Sequence, residues 1–132
     1  MWPRLDGLRT LELGLPGEHR DRLTALVLAG TKRATAGLLA GYTGEGELPE
    51  HVGERLVLVD SAGDRLAVVE VTAVLVTPFD LVGWELAEAE GEGFTSVEHW
   101  REVHAGFWAE HGGGRPSGRA PVVCVWFRLI NG

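Results

Sequence analysis

Arg55-Leu56-Val57-Leu58-Val59-Asp60, then Ser61-Ala62-Gly63, then Arg65-Leu66-Ala67-Val68-Val69-Glu70-Val71-Thr72-Ala73-Val74-Leu75-Val76-Thr77 is the stretch that decides the fold. Two runs rich in valine and leucine flank a short turn of small residues, which is the pattern of a β-hairpin. Pro78 has no N–H to give to a ladder and interrupts the second strand. Upstream, residues 1–14 read as an irregular or extended arm in which Leu11 and Leu13 alternate. Pro16-Gly17-Glu18 opens a helix; Leu23, Leu26 and Val27 recur at helical spacing, and Gly30 supplies a stop. Residues 31–36 leave that helix as a short strand or turn. Residues 37–53 read as a short helical turn at Leu38-Leu39-Ala40 followed by an exposed loop carrying Glu45, Glu47 and Glu50.

Downstream of the hairpin, Asp80–Ala89 reads as a short helix, broken by Glu90-Gly91-Glu92-Gly93. Thr95-Ser96-Val97-Glu98 has the hydroxyl and carboxylate three apart that make a capping box. The helix that follows, to about His111, places Val97, Trp100, His104, Phe107 and Trp108 along one stripe. Residues 112–120 form a glycine-rich loop with Arg115 and Arg119, and Pro121–Ile130 is a final apolar strand, central or closing. These elements predict an α+β fold: a small mixed or antiparallel sheet, curled into a barrel and flanked by two or three helices. The 132 residues fit one domain, residues 1–132.

Composition narrows the function. Apolar residues make up 45% and charged residues 23%, ordinary for a soluble chain, and the net charge of −7 argues against holding long nucleic acid by bulk electrostatics. It leaves room for a nucleoside-sized ligand or for RNA on a local basic strip. One cysteine, Cys124, permits no internal disulfide and no cysteine metal cluster, which fits a reducing cytoplasm. The amino terminus lacks a signal-peptide core, and no apolar run reaches membrane-spanning length. The histidines at 19, 51, 99, 104 and 111 have no ligand spacing, and there is neither a Walker loop nor a dinucleotide fingerprint. No metal and no cofactor is expected.

Lys32 is the only lysine among twelve basic residues. Arginine keeps its proton near neutral pH, whereas a desolvated lysine can release one and act as a base. Thr35 follows three residues later; in a turn the two side chains can converge, and otherwise they are a surface amine and a turn-capping hydroxyl. Glu88, Glu90 and Glu92 form a second group: neighbouring carboxylates raise one another's pKa, although such a run is also how an exposed acidic helix end looks. Trp100, Arg101, His104, Phe107 and Trp108 form a third, read mainly as core with a hydrogen-bonded histidine.

These motifs together resemble the ASCH domain family of the PUA-like fold group. Gly30-Thr31-Lys32-Arg33-Ala34-Thr35 matches the family's Gly-x-Lys-x-x-Thr/Ser signature. Val52-Gly53-Glu54, the strand with Val69-Glu70-Val71-Thr72, Pro78-Phe79, Ala89-Glu90-Gly91-Glu92-Gly93, Trp100-Arg101, His104 and Phe107-Trp108 continue it over roughly residues 17–130, closest to the bacterial stand-alone branch. The resemblance implies a β-barrel with helices around a cleft lined by the lysine motif. The family was proposed to bind RNA; some stand-alone members remove acetyl from acetylcytidine, and others are reported as ribonucleases. Carried over, the catalytic set is Lys32, Thr35 and Glu92, with Glu90 one glycine away as the alternative. Thr35 would attack or position water, Lys32 would take the proton, and Glu92 would orient the lysine or protonate the leaving amine. Arg33, Glu90, Arg101 and His104 are the candidate substrate-binding residues. The Trp-Arg-x-x-His helix is not the amidohydrolase pattern, so the expected partner is a small nucleoside or, alternatively, RNA held by Arg33, Arg101, Arg115 and Arg119.

Overall fold

A computed structural model describes residues 1–131; Gly132, the last residue of the expected domain, lies outside the described residues. The chain runs β1 (Arg4–Leu5), β2 (Leu8–Leu11), α1 (Glu18–Leu28), β3 (Ala34–Leu38), α2 (Leu39–Gly44), β4 (Arg55–Val59), β5 (Arg65–Pro78), a 3-10 turn (Phe79–Leu81), α3 (Trp84–Ala89), α4 (Val97–Glu110) and β6 (Pro121–Asn131). The hairpin forms as its sequence predicts. Asp60 closes it by accepting the backbone N–H groups of Ala62 and Asp64, both at 2.9 Å.

The α+β class holds, with six strands in the order β1-β2-β4-β5-β6-β3. Only β2 and β4 run parallel; the other neighbours are antiparallel. The expected barrel is not what the ladders form. Pairing starts at β1 and stops at β3 without closing, and Thr10 and Leu11 of β2 face Thr35, Ala36, Gly37 and Leu38 of β3 across an open cleft. Register shifts in β5 at Val68/Val69 and Val71/Ala73 are the irregularities that bend so long a strand.

Apolar residues fill both faces of the sheet. Leu23 and Val27 of α1 pack with Leu11, Leu56, Leu58, Val69, Val125 and Phe127 on one side. Leu86 and Ala87 of α3 and Trp100 and Ala105 of α4 pack with Phe79, Val122 and Cys124 on the other. β6 alternates between the two clusters, which is why its sequence is almost continuously apolar.

Four local expectations are corrected. The amino-terminal arm contains a hairpin: Asp6 and Gly7 sit at φ 54° and 77°, the two positive values that a two-residue I′ turn demands. Glu47 and Glu50 are buried rather than exposed. Glu47 accepts the Trp2 backbone N–H at 2.8 Å and two hydrogen bonds from Arg4 at 2.9 and 3.0 Å, tying the arm down. The segment 80–89 is two pieces, because the 3-10 turn ends before Gly83 caps α3. Finally, Ser96 rather than Thr95 caps α4, its Oγ accepting the His99 N–H at 3.0 Å, while the His99 ring accepts the Thr95 N–H at 3.2 Å. The cap is reciprocal, as a capping box is, but shifted by one residue.

Candidate active site

Lys32 is aimed inward by the way α1 ends. Gly30 takes φ 80°, and the N–H groups of Thr31 and Lys32 both turn back to the Leu26 carbonyl at 3.0 Å. The Arg33 N–H then bonds the Ala89 carbonyl at 2.7 Å, and the Arg33 carbonyl accepts from Phe127 N at 2.9 Å. The lysine loop is thereby held between β6 and the end of α3. Gly91 completes the approach. It lies at φ 67°, and a Cβ there would overlap the Thr31 carbonyl, so only glycine lets the Glu90–Glu92 segment lie against the lysine peptide.

The Lys32 side chain is 1% exposed. Its Nζ donates to the Ala34 carbonyl at 2.8 Å, to Glu92 Oε2 at 2.8 Å and to Glu90 Oε2 at 3.3 Å. Three acceptors use the three protons of an ammonium group. On the far side of Glu90, Oε1 accepts from Trp100 Nε1 and lies 3.2 Å from His104 Nε2. The other imidazole nitrogen, Nδ1, lies 2.9 Å from the Trp100 carbonyl, and the ring stacks on the Trp100 indole with centroids 4.2 Å apart. Both nitrogens of His104 thus face acceptors.

The two carboxylates are pushed apart. Burial opposes ionisation of Glu90, but the His104 hydrogen bond and the Lys32 charge outweigh it and hold the carboxyl below its usual range. Burial pushes Glu92 up, against the pull of Lys32, and the neighbouring Glu90 charge adds to the rise. Glu90, with its hydrogen-bond donors around it, is held as the anion, whereas burial disfavours the charge on Glu92.

These side chains form the floor of a cavity of about 100 Å³ walled by Leu13, His19, Thr35, Phe107 and Trp108. Thr35, Ala36 and Trp108 also line a wider lobe of about 620 Å³, so the two cavities adjoin at these residues. The cleft wraps the free edge of β3. The Ala34 carbonyl points away from β6 toward Lys32, and the two-residue period of a strand sends the backbone groups of Ala36 the same way.

Lys32, Thr35, Glu90, Glu92 and His104 are thus brought together, as the sequence expects. Arg33 and Arg101 are not. The Arg33 side chain is exposed on the turn opposite Lys32. Arg101 donates to the carbonyls of Asp80 and Val82 at 3.0 and 3.1 Å, tying α4 to the 3-10 turn. It lines a separate depression with Glu102 and Arg115. Glu88 is exposed on α3. Sequence reasoning missed His19, Phe107 as a wall of the cleft, and the buried pair Tyr42–Glu50. Only Tyr42 offered a signal, as the single tyrosine of the chain. Among the described residues no group of three or more His, Cys, Asp or Glu is placed to hold a metal ion.

The sequence model of the ASCH domain matches residues 12–131. The chain is also similar to solved structures. An ASCH domain from Lactobacillus crispatus JV V101 superposes with a TM-score of 0.80 at 26% identity, covering 93% of this chain and 79% of that one. A protein from Enterococcus faecalis V583 superposes with a TM-score of 0.78 at 28% identity, covering 88% of this chain and 71% of that one. No curated protein is significantly similar in sequence.

Proposed function

The chain belongs to the ASCH domain family, and on that premise we propose that it hydrolyses an amide on a small modified nucleoside, an acetylcytidine-like substrate, in this cleft. The family is PUA-like and was proposed to bind RNA. The finer reading rests on one observation: a buried lysine shared between two carboxylates of opposite tendency, on the floor of a cavity that Thr35 also lines.

The chemistry follows from the proton count. Lys32 takes a proton from a water that Thr35 positions, or from Thr35 itself, whose acetyl ester a second water then hydrolyses, only after giving one up. Glu92, 2.8 Å away and raised by burial, is the acceptor at hand. The neutral amine then accepts the nucleophile's proton, and the Glu92 carboxylic acid delivers its own to the leaving amine. The Ala36 N–H, on the free strand edge, stabilises the oxyanion. Glu90, fixed by Trp100 and His104, keeps Lys32 in place. Among the described residues no lysine other than Lys32, and no arginine, lines either lobe, which favours an uncharged nucleoside over a phosphate backbone.

Purified protein is assayed for release of acetate from N4-acetylcytidine. Lys32→Ala, Thr35→Ala and Glu92→Gln are each expected to lose ~100-fold or more in kcat/KM. Absence of turnover by the parent, or a Lys32→Ala variant that turns over like it, overturns the reading. Salt-sensitive RNA binding that these substitutions abolish, without turnover, would favour the RNA-binding alternative.

A further inference from the structure

The wider lobe contains a second buried acid that the hydrolytic chemistry leaves unused. Glu50 is 8% exposed and Tyr42 6%. The Tyr42 hydroxyl donates to Glu50 Oε1 at 2.8 Å, and the Trp2 ring meets Tyr42 edge-on at 4.7 Å. Both members of the pair line the lobe together with Thr35, Gly37 and Leu38 of β3, and the Tyr42 ring lies beside Gly37. Tyr42 occupies one carboxylate oxygen and fixes the rotamer, the residue's own backbone N–H also bonds the carboxylate, and the lone pairs that remain can accept from a ligand. Taking a carboxylate out of water is costly, and burial pushes the Glu50 carboxyl up, so an acid held here calls for donors. Hydroxyl groups supply them, and a carboxylate accepting from the hydroxyls of a ribose is a recurrent solution in nucleotide-binding folds. A phosphate in the same place would meet the acid with no lysine or arginine among the described residues lining the lobe to offset it.

The lobes adjoin at Thr35, Ala36 and Trp108, so a nucleoside whose amide lies at Lys32 and whose base passes these residues carries its sugar into the lobe of Glu50. We propose that Glu50, positioned by Tyr42, is the specificity residue of this cleft and reads the vicinal hydroxyls of an unphosphorylated ribose. This rests on the amide-hydrolase reading and names the part of the substrate that the site selects.

The test compares kcat/KM of the parent on N4-acetylcytidine, its 2′-deoxy analogue and its 5′-monophosphate. A site built to pair a hydroxyl rejects an analogue lacking it, so the deoxy compound and the monophosphate are each expected to be ~10-fold or more poorer, chiefly through KM. In Glu50→Gln the ratio of ribo to deoxy falls toward one, and the penalty on the monophosphate shrinks. Tyr42→Phe, which keeps the acid and loses only its positioning, gives an intermediate ratio. A parent that treats ribo and deoxy substrates alike overturns this proposal while leaving the hydrolase reading intact, and so does a Glu50→Gln variant that keeps the ratio. A parent that hydrolyses none of the three overturns both. The parent comparison needs no variant to fold.

Discussion

Lys32→Met is the most informative single perturbation of this molecule. It removes a buried ammonium group that stands 2.8 Å from one carboxylate and 3.3 Å from another. At an effective dielectric constant of about 20, unit charges at these separations attract by roughly 5–6 kcal/mol each. Removal of the ammonium also relieves its own desolvation, and breaking a buried pair costs about 3–5 kcal/mol net. The lower end applies here. Glu90 keeps its bonds to Trp100 and His104, and the Glu92 side chain is 12% exposed and able to take up a proton. That escape fixes the pH dependence. Burial raises the Glu92 pKa in the folded state, so its contribution to stability is fully present below the unfolded carboxyl value, near ~4.3, and is lost as pH rises through the folded value. Without Lys32 to restrain it, the folded value rises further. The penalty is therefore small near pH 5 and grows to about 3 kcal/mol near pH 8, a large part of the ~5–15 kcal/mol that holds a domain together. Urea unfolding of parent and variant at the two pH values reads this directly. Lys32→Met/Glu92→Gln, which removes both charges, should recover at least half of the loss at pH 8. A penalty below about 1 kcal/mol that does not change with pH would refute the buried-pair argument.

Three further outcomes are expected. Gly91→Ala should cost more than about 3 kcal/mol, because a left-handed φ is added to overlap with the Thr31 carbonyl, whereas Gly93→Ala, equally left-handed but in open space, should cost about 1–2; thermal melts of the pair check this. Arg101→Ala should lose about 1–2 kcal/mol with its bonds to the Asp80 and Val82 carbonyls, while Arg101→Ala and Arg33→Ala both stay within about twofold of the parent in amide hydrolysis; a tenfold loss of activity in either would place an arginine at the substrate after all. Ser96→Ala should cost about 1 kcal/mol and Thr95→Val less than about half of that by urea unfolding, and the reverse order would restore Thr95 as the cap of α4.

Period and punctuation made much of the fold legible. The β4–β5 hairpin, the stop of α1 at Gly30, the stripe of α4 and the final strand are local patterns, and local patterns survive folding unchanged. The Asp6-Gly7 turn was equally readable, but its strands of two and four residues are too short to show alternation. Glu47 and Glu50 misled because acidic residues among glycines usually face water; here Arg4 and Tyr42, distant in the chain or across α2, supply the partners that let them be buried.

By itself the sequence determined the α+β class and the single lysine, and it offered Lys32, Thr35 and Glu92 as candidate catalytic residues with Arg33, Glu90, Arg101 and His104 as candidate substrate contacts, of which all but the two arginines meet around one cavity. Tertiary structure alone decided which neighbours each one meets. Lys32 and Glu92 are 60 residues apart in the chain, and their 2.8 Å contact exists only because Gly91 lets two loops lie peptide against peptide. The different tendencies of Glu90 and Glu92 come from which neighbours surround each carboxylate, a property no spacing encodes. The open edge of β3, which leaves a cleft where a closed barrel would have none, follows from β2 and β3 standing apart across it. Residue type sets what a side chain is able to do, and the distance to its partners and to water sets which of those things it does.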